Sequence, residues 1–370
     1  ESRGQTVIRF TADAGRREVS ALIRVPDEGA VEAVVTNLEL LGPDGGPAAA
    51  SDIDAASAVS ISPPAIMRDL RIVRVTFTPI KLSLPPGVTA GAATVAVKTT
   101  SAPGINERRT RRRPHSLVFS RIYEGLILNY GASDERAEGV GSAGHGVRGD
   151  DRELTGSRYL IITDATLAAE ADSLIAWKAT KGLLPKVVTP PEGVWTRYEL
   201  KEYVDDAYDT WDIPPEFVLL LGDTEIVPTG GGTPKTDNYF AHVDGDDYLL
   251  DILVGRLPAE NASQCRTMIA KTLSYDRPWM HGDSNWPLSA TLLLREDGDA
   301  SDEVYYANTW FAYDLMEEAG YSPIDTLFQG EYVTASRVME SLSAGRGFVN
   351  YRGVSGDYWA APFNIWPGYV

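Results

Sequence analysis

The 370-residue chain carries 34 Lys and Arg against 52 Asp and Glu, a formal net charge of -18, and 43% of its residues are hydrophobic. This length predicts two domains, and the apolar share is large enough for a sizeable core. The acidic balance excludes general nucleic-acid binding, which needs a basic face to neutralise phosphates, and no apolar run is long enough to span a membrane.

Residues 1–135 are predicted to form an all-β sandwich. Short and mostly alternating apolar runs are separated by turn segments, such as residues 43–46 and 85–87, and helical periodicity is nearly absent. Several short strands at this spacing are typical of a sandwich. The predicted strands are residues 7–10, 21–25, 34–38, 70–77 and 93–97.

Five arginines in six residues lie near the end of this region. One interpretation is a solvated, flexible charged run, since like charges repel each other. The other is an exposed processing site for a protease that cleaves after basic residues. Both remain open, and both predict exposure. The arginines are Arg108, Arg109, Arg111, Arg112 and Arg113.

Residues 136–157 are predicted to be a linker. They are rich in glycine, alanine, serine and charged residues and poor in large apolar residues, a composition typical of a domain boundary. The second domain is therefore expected to occupy residues 158–370.

The second domain alternates strand and helix patterns. Apolar runs such as residues 217–221 are typical of parallel strands that are buried on both faces. Thr196 and Glu199 have the spacing of a capping box, which predicts a helix start. The alternation predicts a parallel sheet covered on both faces, with functional residues at the carboxyl ends of its strands.

Several short motifs of this domain follow one another in a distinctive order. They are residues 159–162, 177–182, 217–228, 237–239, 245–247, 254–257 and 349–353. Taken in this order, they resemble the catalytic domain of the gingipain-type cysteine peptidases. Residues 65–69 and 122–130 resemble the β-rich propeptide that precedes such a peptidase.

The resemblance implies a caspase-like α/β domain, incomplete at its carboxyl end, that hydrolyses peptide bonds with a Cys-His dyad. In such a site a thiolate attacks the carbonyl, a histidine transfers protons and an acid orients the imidazole. The orienting acid falls on Asp251; its alternative interpretation is a strand-end acid paired with Arg256. The histidine turn falls on Gly353, Val354 and Ser355, and the valine at the histidine position cannot transfer a proton.

Other candidates for the dyad are weak. Cys265, the single cysteine, lies in a predicted helix before the histidine position and has the character of a small packing residue. The nucleophile is therefore expected beyond Val370. His242, in the loop leading to Asp251, is the best substitute base, although a lone loop histidine is usually a surface residue.

Two acidic clusters have the oxygen density and glycine turns of a calcium site. One contains Asp244, Asp246 and Asp247, and the other lies at residues 296–303. The resemblance to gingipain-type domains implies a structural calcium ion, whereas the alternative is a solvated acidic turn. The motifs for zinc, nucleotide phosphates and an esterase nucleophile are absent from the sequence, so no organic cofactor is expected.

These observations leave three hypotheses. The first is a secreted or cell-surface bacterial peptidase zymogen, with its signal peptide already removed, a protein or peptide substrate, and association with a missing carboxyl part. The second is a pseudoenzyme that keeps the fold as a binding or assembly module. The third is an unrelated calcium-stabilised structural protein, which requires the order of the motifs to be coincidental.

Overall fold

The computed structural model describes residues 5–12, 18–49, 53–108, 116–131, 154–231, 235–277, 286–329, 333–353 and 358–365. The chain divides into two compact units, Glu1–Ile269 and Ala270–Val370. The first unit contains the β-rich region together with the first part of the α/β region. The predicted linker lies mostly outside the described residues, so the domain boundary at 136–157 stays a prediction.

The N-terminal region is the predicted β-sandwich. One antiparallel sheet has the strand order β1-β8-β3-β4, and the other has the order β2-β7-β5, with β6 also paired to β7. Apolar side chains from both sheets, including Phe10, Val75 and Val95, form one buried core. The strands are β1 Gln5–Thr11, β2 Val19–Arg24, β3 Val31–Leu41, β4 Pro47–Ala48, β5 Val59–Ile61, β6 Ala65–Met67, β7 Leu70–Phe77 and β8 Thr89–Thr99.

One helix, α1 Leu117–Leu126, interrupts this β-structure, where the sequence predicted almost no helical periodicity. The Ser116 hydroxyl accepts a hydrogen bond from the N–H of Phe119 and caps the helix start. Phe119 and Tyr123, four residues apart on one face, pack in a cluster with Met67 and other buried residues of the sandwich. The helix that follows the arginine run is thus part of the N-terminal domain.

A four-stranded parallel sheet with the order β10-β9-β11-β12 forms the α/β part of the first unit. Leu160 and Leu220 of its two central strands are fully buried. The capping box of Thr196 and Glu199 is confirmed. The elements are β9 Tyr159–Ile162, α2 Asp172–Thr180, β10 Pro185–Val188, α3 Arg197–Thr210, β11 Phe217–Leu221 and β12 Leu253–Leu257. The next helix, α4 Ala262–Asp276, begins in the first unit and ends in the second.

The second unit contains a separate parallel sheet, with the order β14-β13-β15 among its described residues. Strand β14 escaped the sequence analysis because it is short and carries polar residues in its first half, Asp325 and Thr326. The elements are β13 Ala290–Leu294, α5 Asp302–Glu318, β14 Ile324–Phe328, α6 Ala335–Ser343 and β15 Phe348–Arg352.

The fold class is confirmed as an all-β sandwich followed by α/β structure with parallel strands. Among the helices of the described ranges, we find none with the length and apolar character needed to cross a membrane.

Candidate functional site

The carboxyl end of the second sheet is where the predicted histidine turn begins. Leu294 of β13 lies opposite Arg352 of β15, and the N–H of Arg295 donates to the carbonyl of Arg352 at 2.8 Å. Gly353 comes next. A Cβ atom at residue 353 would lie 2.6 Å from the Cβ of Arg295, so the close approach of the two strand ends requires glycine there. Val354 and Ser355 lie outside the described residues.

An arginine and two acids follow β13 at this end. The guanidinium of Arg295 donates from Nε to the carbonyl of Ala361 at 2.9 Å and from Nη1 to Asp297 at 2.8 Å. About a quarter of each side chain of this ion pair is exposed. The carboxylate of Glu296 accepts a hydrogen bond from the hydroxyl of Tyr306 at 2.8 Å. Polar groups that bind one another and are partly accessible to solvent therefore follow β13 directly, at the carboxyl end of the sheet.

The sequence analysis treated this acidic segment only as a candidate cation site. Its place directly after a buried strand was the signal that could have assigned it to the carboxyl end of the sheet. In the structure, the carboxylate of Asp302 accepts the N–H groups of Asp297 and Gly298 at 2.8 and 3.0 Å, as expected of an acid at the start of a helix.

Asp251 lies at the other end of a strand. It precedes β12, at the amino end of the first sheet, and its side chain is fully buried. Its carboxylate accepts three backbone N–H groups, from Arg68 at 2.7 Å, Val243 at 2.9 Å and Asp244 at 2.8 Å. Burial raises the pKa of Asp251 to about 7, against the opposing effect of these donors.

These contacts show a carboxylate that holds the backbone of Arg68, Val243 and Asp244 in place. The orienting role of Asp251 stays a prediction, and the contacts at the described residues do not support it. The alternative interpretation, a pair with Arg256, is wrong. Arg256 instead binds the two carboxylate oxygens of Asp237, each at 2.8 Å, and donates to the carbonyls of Gly222 and Val227. Arg256 thereby organises the carboxyl end of the first sheet.

Cys265 is buried in α4, as the sequence indicated. Burial in an apolar setting raises the pKa of its thiol, and the nearby Glu170 raises it further. Because the thiolate is the nucleophilic form, these surroundings make Cys265 unreactive. His242 is half-buried in the loop before Asp251, in the first unit. His115, His145 and His281 lie outside the described residues.

The acidic loop fits hydrogen-bond donors better than a cation. Both carboxylate oxygens of Asp247 are occupied, Oδ1 by the N–H of Leu249 at 2.8 Å and Oδ2 by the N–H of Ile66 at 2.7 Å. Within the described ranges, no three or more acidic, histidine or cysteine side chains come together in a way that could hold a metal ion. Calcium at Asp244, Asp246 and Asp247 was an expectation of the resemblance, and these contacts do not fit it.

Arg108 is anchored rather than exposed. Its guanidinium donates to the carboxylate of Asp27 at 3.1 Å and to the carbonyl of Asp69, and only 9% of its side chain is accessible. The expected exposure is therefore wrong for this first arginine. Arg109, Arg111, Arg112 and Arg113 lie outside the described residues, so their role in processing stays a prediction.

The model of the family described as Peptidase family C25 matches residues 152–367, more than half of the chain. The chain belongs to this family. The resemblance to the gingipain-type peptidases is thereby confirmed. Gingipain R2 of Porphyromonas gingivalis is 24% identical over 305 residues, and gingipain R1 of the same organism is 23% identical over the same length. Each alignment covers 80% of this chain but only 39% and 29% of the respective relative.

Solved structures agree with the family fold. The crystal structure of the arginine-specific cysteine proteinase gingipain R gives a TM-score of 0.52 at 20% identity, covering 60% of this chain and 51% of that one. A complex of the pro- and mature domains of RgpB from P. gingivalis also gives 0.52, at 19% identity, covering 57% and 51%. The chain spans about half the length of these structures and less of the curated C25 relatives, so the shared feature is the fold.

Proposed function

We propose that this chain is a C25-family module that binds polypeptides without hydrolysing them. The main observation behind this proposal is the identity of the residues at the carboxyl end of the second sheet. Where the family places a histidine, the sequence has Val354, directly after Gly353. Along the 370 residues, no histidine follows His281 and no cysteine follows Cys265. Without an imidazole next to the site, a thiol has no general base to activate it.

The described part of the site supports binding. Arg295, Glu296 and Asp297 present charged groups directly after β13, and the hydroxyl of Tyr306 binds Glu296. Extended peptides expose backbone N–H and C=O groups that such side chains can bind. The family otherwise acts on polypeptides, so a peptide or an unfolded protein segment is the ligand that we propose.

The competing function is hydrolysis by a Cys-His dyad of the gingipain type, in a secreted or cell-surface precursor. A single experiment separates the two. The full chain is incubated with a fluorescein-labelled library of mixed-sequence peptides; anisotropy reports binding and mass spectrometry reports cleavage. A thiol-reactive peptidyl electrophile is added in parallel, with Cys265→Ser as the control for adventitious labelling.

We expect anisotropy to rise while the peptides stay intact, and we expect no labelling of the folded protein. Cleavage that the electrophile blocks would establish the peptidase and overturn our proposal. Intact peptides without an anisotropy change would overturn the binding role. Val354→His alone is not expected to produce cleavage, because the only thiol of these 370 residues is buried in α4.

A further inference from the structure

The outer face of the β2-β7-β5 sheet carries a pocket that the candidate peptide site does not use. Along β7, Val73 and Val75 belong to the buried core of the sandwich. Side chains alternate between the two faces of a strand, so Ile72 and Arg74 lie on the outer face. There β6 and β7 form a hairpin, and Arg74 is paired with Leu22 of β2.

The pocket has a volume of about 380 Å³, within the range of about 300–1,000 Å³ that small-molecule sites occupy. Its walls come from the sheet, from the segment that leads into β6, and from the loops around residues 105 and 248. Most of the lining is apolar, so a ligand that fits must have an apolar body. The apolar side chains include Leu22, Pro63, Pro64, Ile72, Ile105 and Leu249.

Two large side chains of the lining are open to solvent. Tyr248 is 93% exposed and Ile105 is 59% exposed. A ligand in the pocket would cover apolar surface of both residues. Burial of such surface stabilises a complex by about 25 cal/mol for each Å² that is removed from water.

Hydrogen bonds within the protein fix the polar part of the wall. The hydroxyl of Ser62 donates to a neighbouring carbonyl and accepts a backbone N–H, each at 2.9 Å. Asn106 donates to the carbonyl of Pro64 at 3.0 Å and to the carboxylate of Asp247 at 3.2 Å. Both carboxylate oxygens of Asp247 also accept backbone N–H groups. The walls are therefore held in place before a ligand arrives, which lowers the entropy cost of binding.

Arg74 differs from these residues because its charged group is available. Its side chain is exposed, and its guanidinium has no ion-pair or hydrogen-bond partner among the residues that the structure describes. A guanidinium binds a carboxylate through two parallel hydrogen bonds. An available guanidinium beside an apolar pocket therefore favours a ligand that joins a carboxylate to an apolar body.

We propose that this pocket binds carboxylic acids with an apolar body, with the carboxylate on Arg74 and the body against Ile72, Pro64 and Tyr248. Two sources have this chemistry, namely free aliphatic acids and the carboxyl terminus of an apolar peptide. Binding there uses no residue of the candidate peptide site and does not depend on whether the chain hydrolyses peptides. The N-terminal sandwich thereby has a binding role of its own.

The test is isothermal titration calorimetry on the full chain at physiological salt, where the field of its net charge of -18 is screened beyond about 8 Å. The ligands are octanoate and acetyl-dileucine with a free carboxylate. Octylamine, octanol and the amide of the same peptide are the matched compounds without the carboxylate. Arg74→Gln and Tyr248→Ala change exposed residues of the pocket. Arg121→Gln, an exposed arginine of α1 that does not line the pocket, is the matched control.

We expect at least one of the two carboxylates to bind, and its matched compounds to bind at least tenfold more weakly. Arg74→Gln should weaken the binding by roughly tenfold to a hundredfold, the usual effect of losing hydrogen bonds between charged groups. Tyr248→Ala should weaken it less, because only apolar surface is lost. Arg121→Gln should bind like the wild-type protein.

A diazirine derivative of octanoate, or of the peptide if only the peptide binds, locates the site by photolabelling and mass spectrometry. Labels should fall on residues 62–74 or 246–249. Labels confined to residues 294–306 would assign the binding to the candidate peptide site and overturn the proposal. So would failure of both carboxylates to bind, or equal affinities of Arg74→Gln and Arg121→Gln.

Discussion

The amino end of the first parallel sheet and the carboxyl end of the second use the same residue types in opposite ways. At the amino end, Asp251 is fully buried and its carboxylate accepts only backbone N–H groups. At the carboxyl end, Arg295 and Asp297 bind each other and are a quarter exposed. A buried carboxylate that accepts backbone donors fixes a fold, whereas a partly exposed pair can exchange its partner for a ligand. Burial separates the two roles, and residue type does not.

The largest expected effect comes from deleting the two acids. Asp251→Ala leaves three buried N–H groups without their acceptor. At about 1–3 kcal/mol for each such group, it should lower the free energy of unfolding by about 3–5 kcal/mol. Asp297→Ala, at the other end of the comparison, should cost about 0–1 kcal/mol, as for other accessible ion pairs. Urea denaturation of both variants measures the difference. Equal losses would break the comparison.

The charge state of Asp251 gives a second expectation. Its pKa in the folded protein, about 7, lies above its ordinary value of 3.8, so the folded state binds the proton more tightly than the unfolded state does. The contribution of Asp251 to the free energy of unfolding is complete below pH 3.8 and is lost as the pH rises through 7. At about 1.4 kcal/mol per pKa unit, the loss is at most about 4 kcal/mol.

The measurement is the unfolding free energy against pH for the wild-type protein and for Asp251→Asn, whose difference isolates this group. The charged and titratable neighbours, Arg68, Asp244 and His242, are the same in both proteins. A difference that grows in favour of the wild type with rising pH would mean that the N–H donors and Arg68 dominate over burial.

The smallest effect is expected for Glu296→Gln. The amide oxygen can still accept the hydroxyl of Tyr306, so the change removes charge and keeps the hydrogen bond. The free energy of unfolding should change by roughly 0.5 to 1.5 kcal/mol at most, the range of one ordinary hydrogen bond. Thermal or urea unfolding measures it. A loss as large as that of Asp251→Ala would show that the carboxyl end is also built on buried charge.

The sequence predicted most of the architecture, because patterns such as the apolar run Phe217–Leu221 and the capping box at Thr196 depend only on residues that are close together in sequence. It missed α1, because this helix buries one face against sandwich residues that are distant in sequence. It also assigned Asp251 from motif order alone. The amino end of β12 becomes visible only when β11 and β12 are paired in register.

The site was predicted in part. Gly353 lies at the carboxyl end of β15, as expected, whereas the neighbouring Arg295 directly follows β13, about sixty residues earlier in the sequence. Their approach depends on the parallel pairing of two strands joined through α5, β14 and α6. The spacing of these residues in the sequence does not show which strands are paired.

The distance along the chain between Arg68 and Asp251, which are hydrogen-bonded in the folded protein, has a consequence for synthesis. Arg68 and Asp251 are 183 residues apart in sequence. At about 5–20 residues per second, a ribosome that has added Arg68 to the chain needs roughly 10–40 s more to add Asp251. During that interval the hairpin presents a guanidinium and unpaired N–H groups that only a later part of the chain can satisfy. The contacts between the N-terminal sandwich and the residues near Asp251 are far apart in sequence, and such contacts form slowly. The sandwich is therefore synthesised well before the part of the chain that completes its contacts.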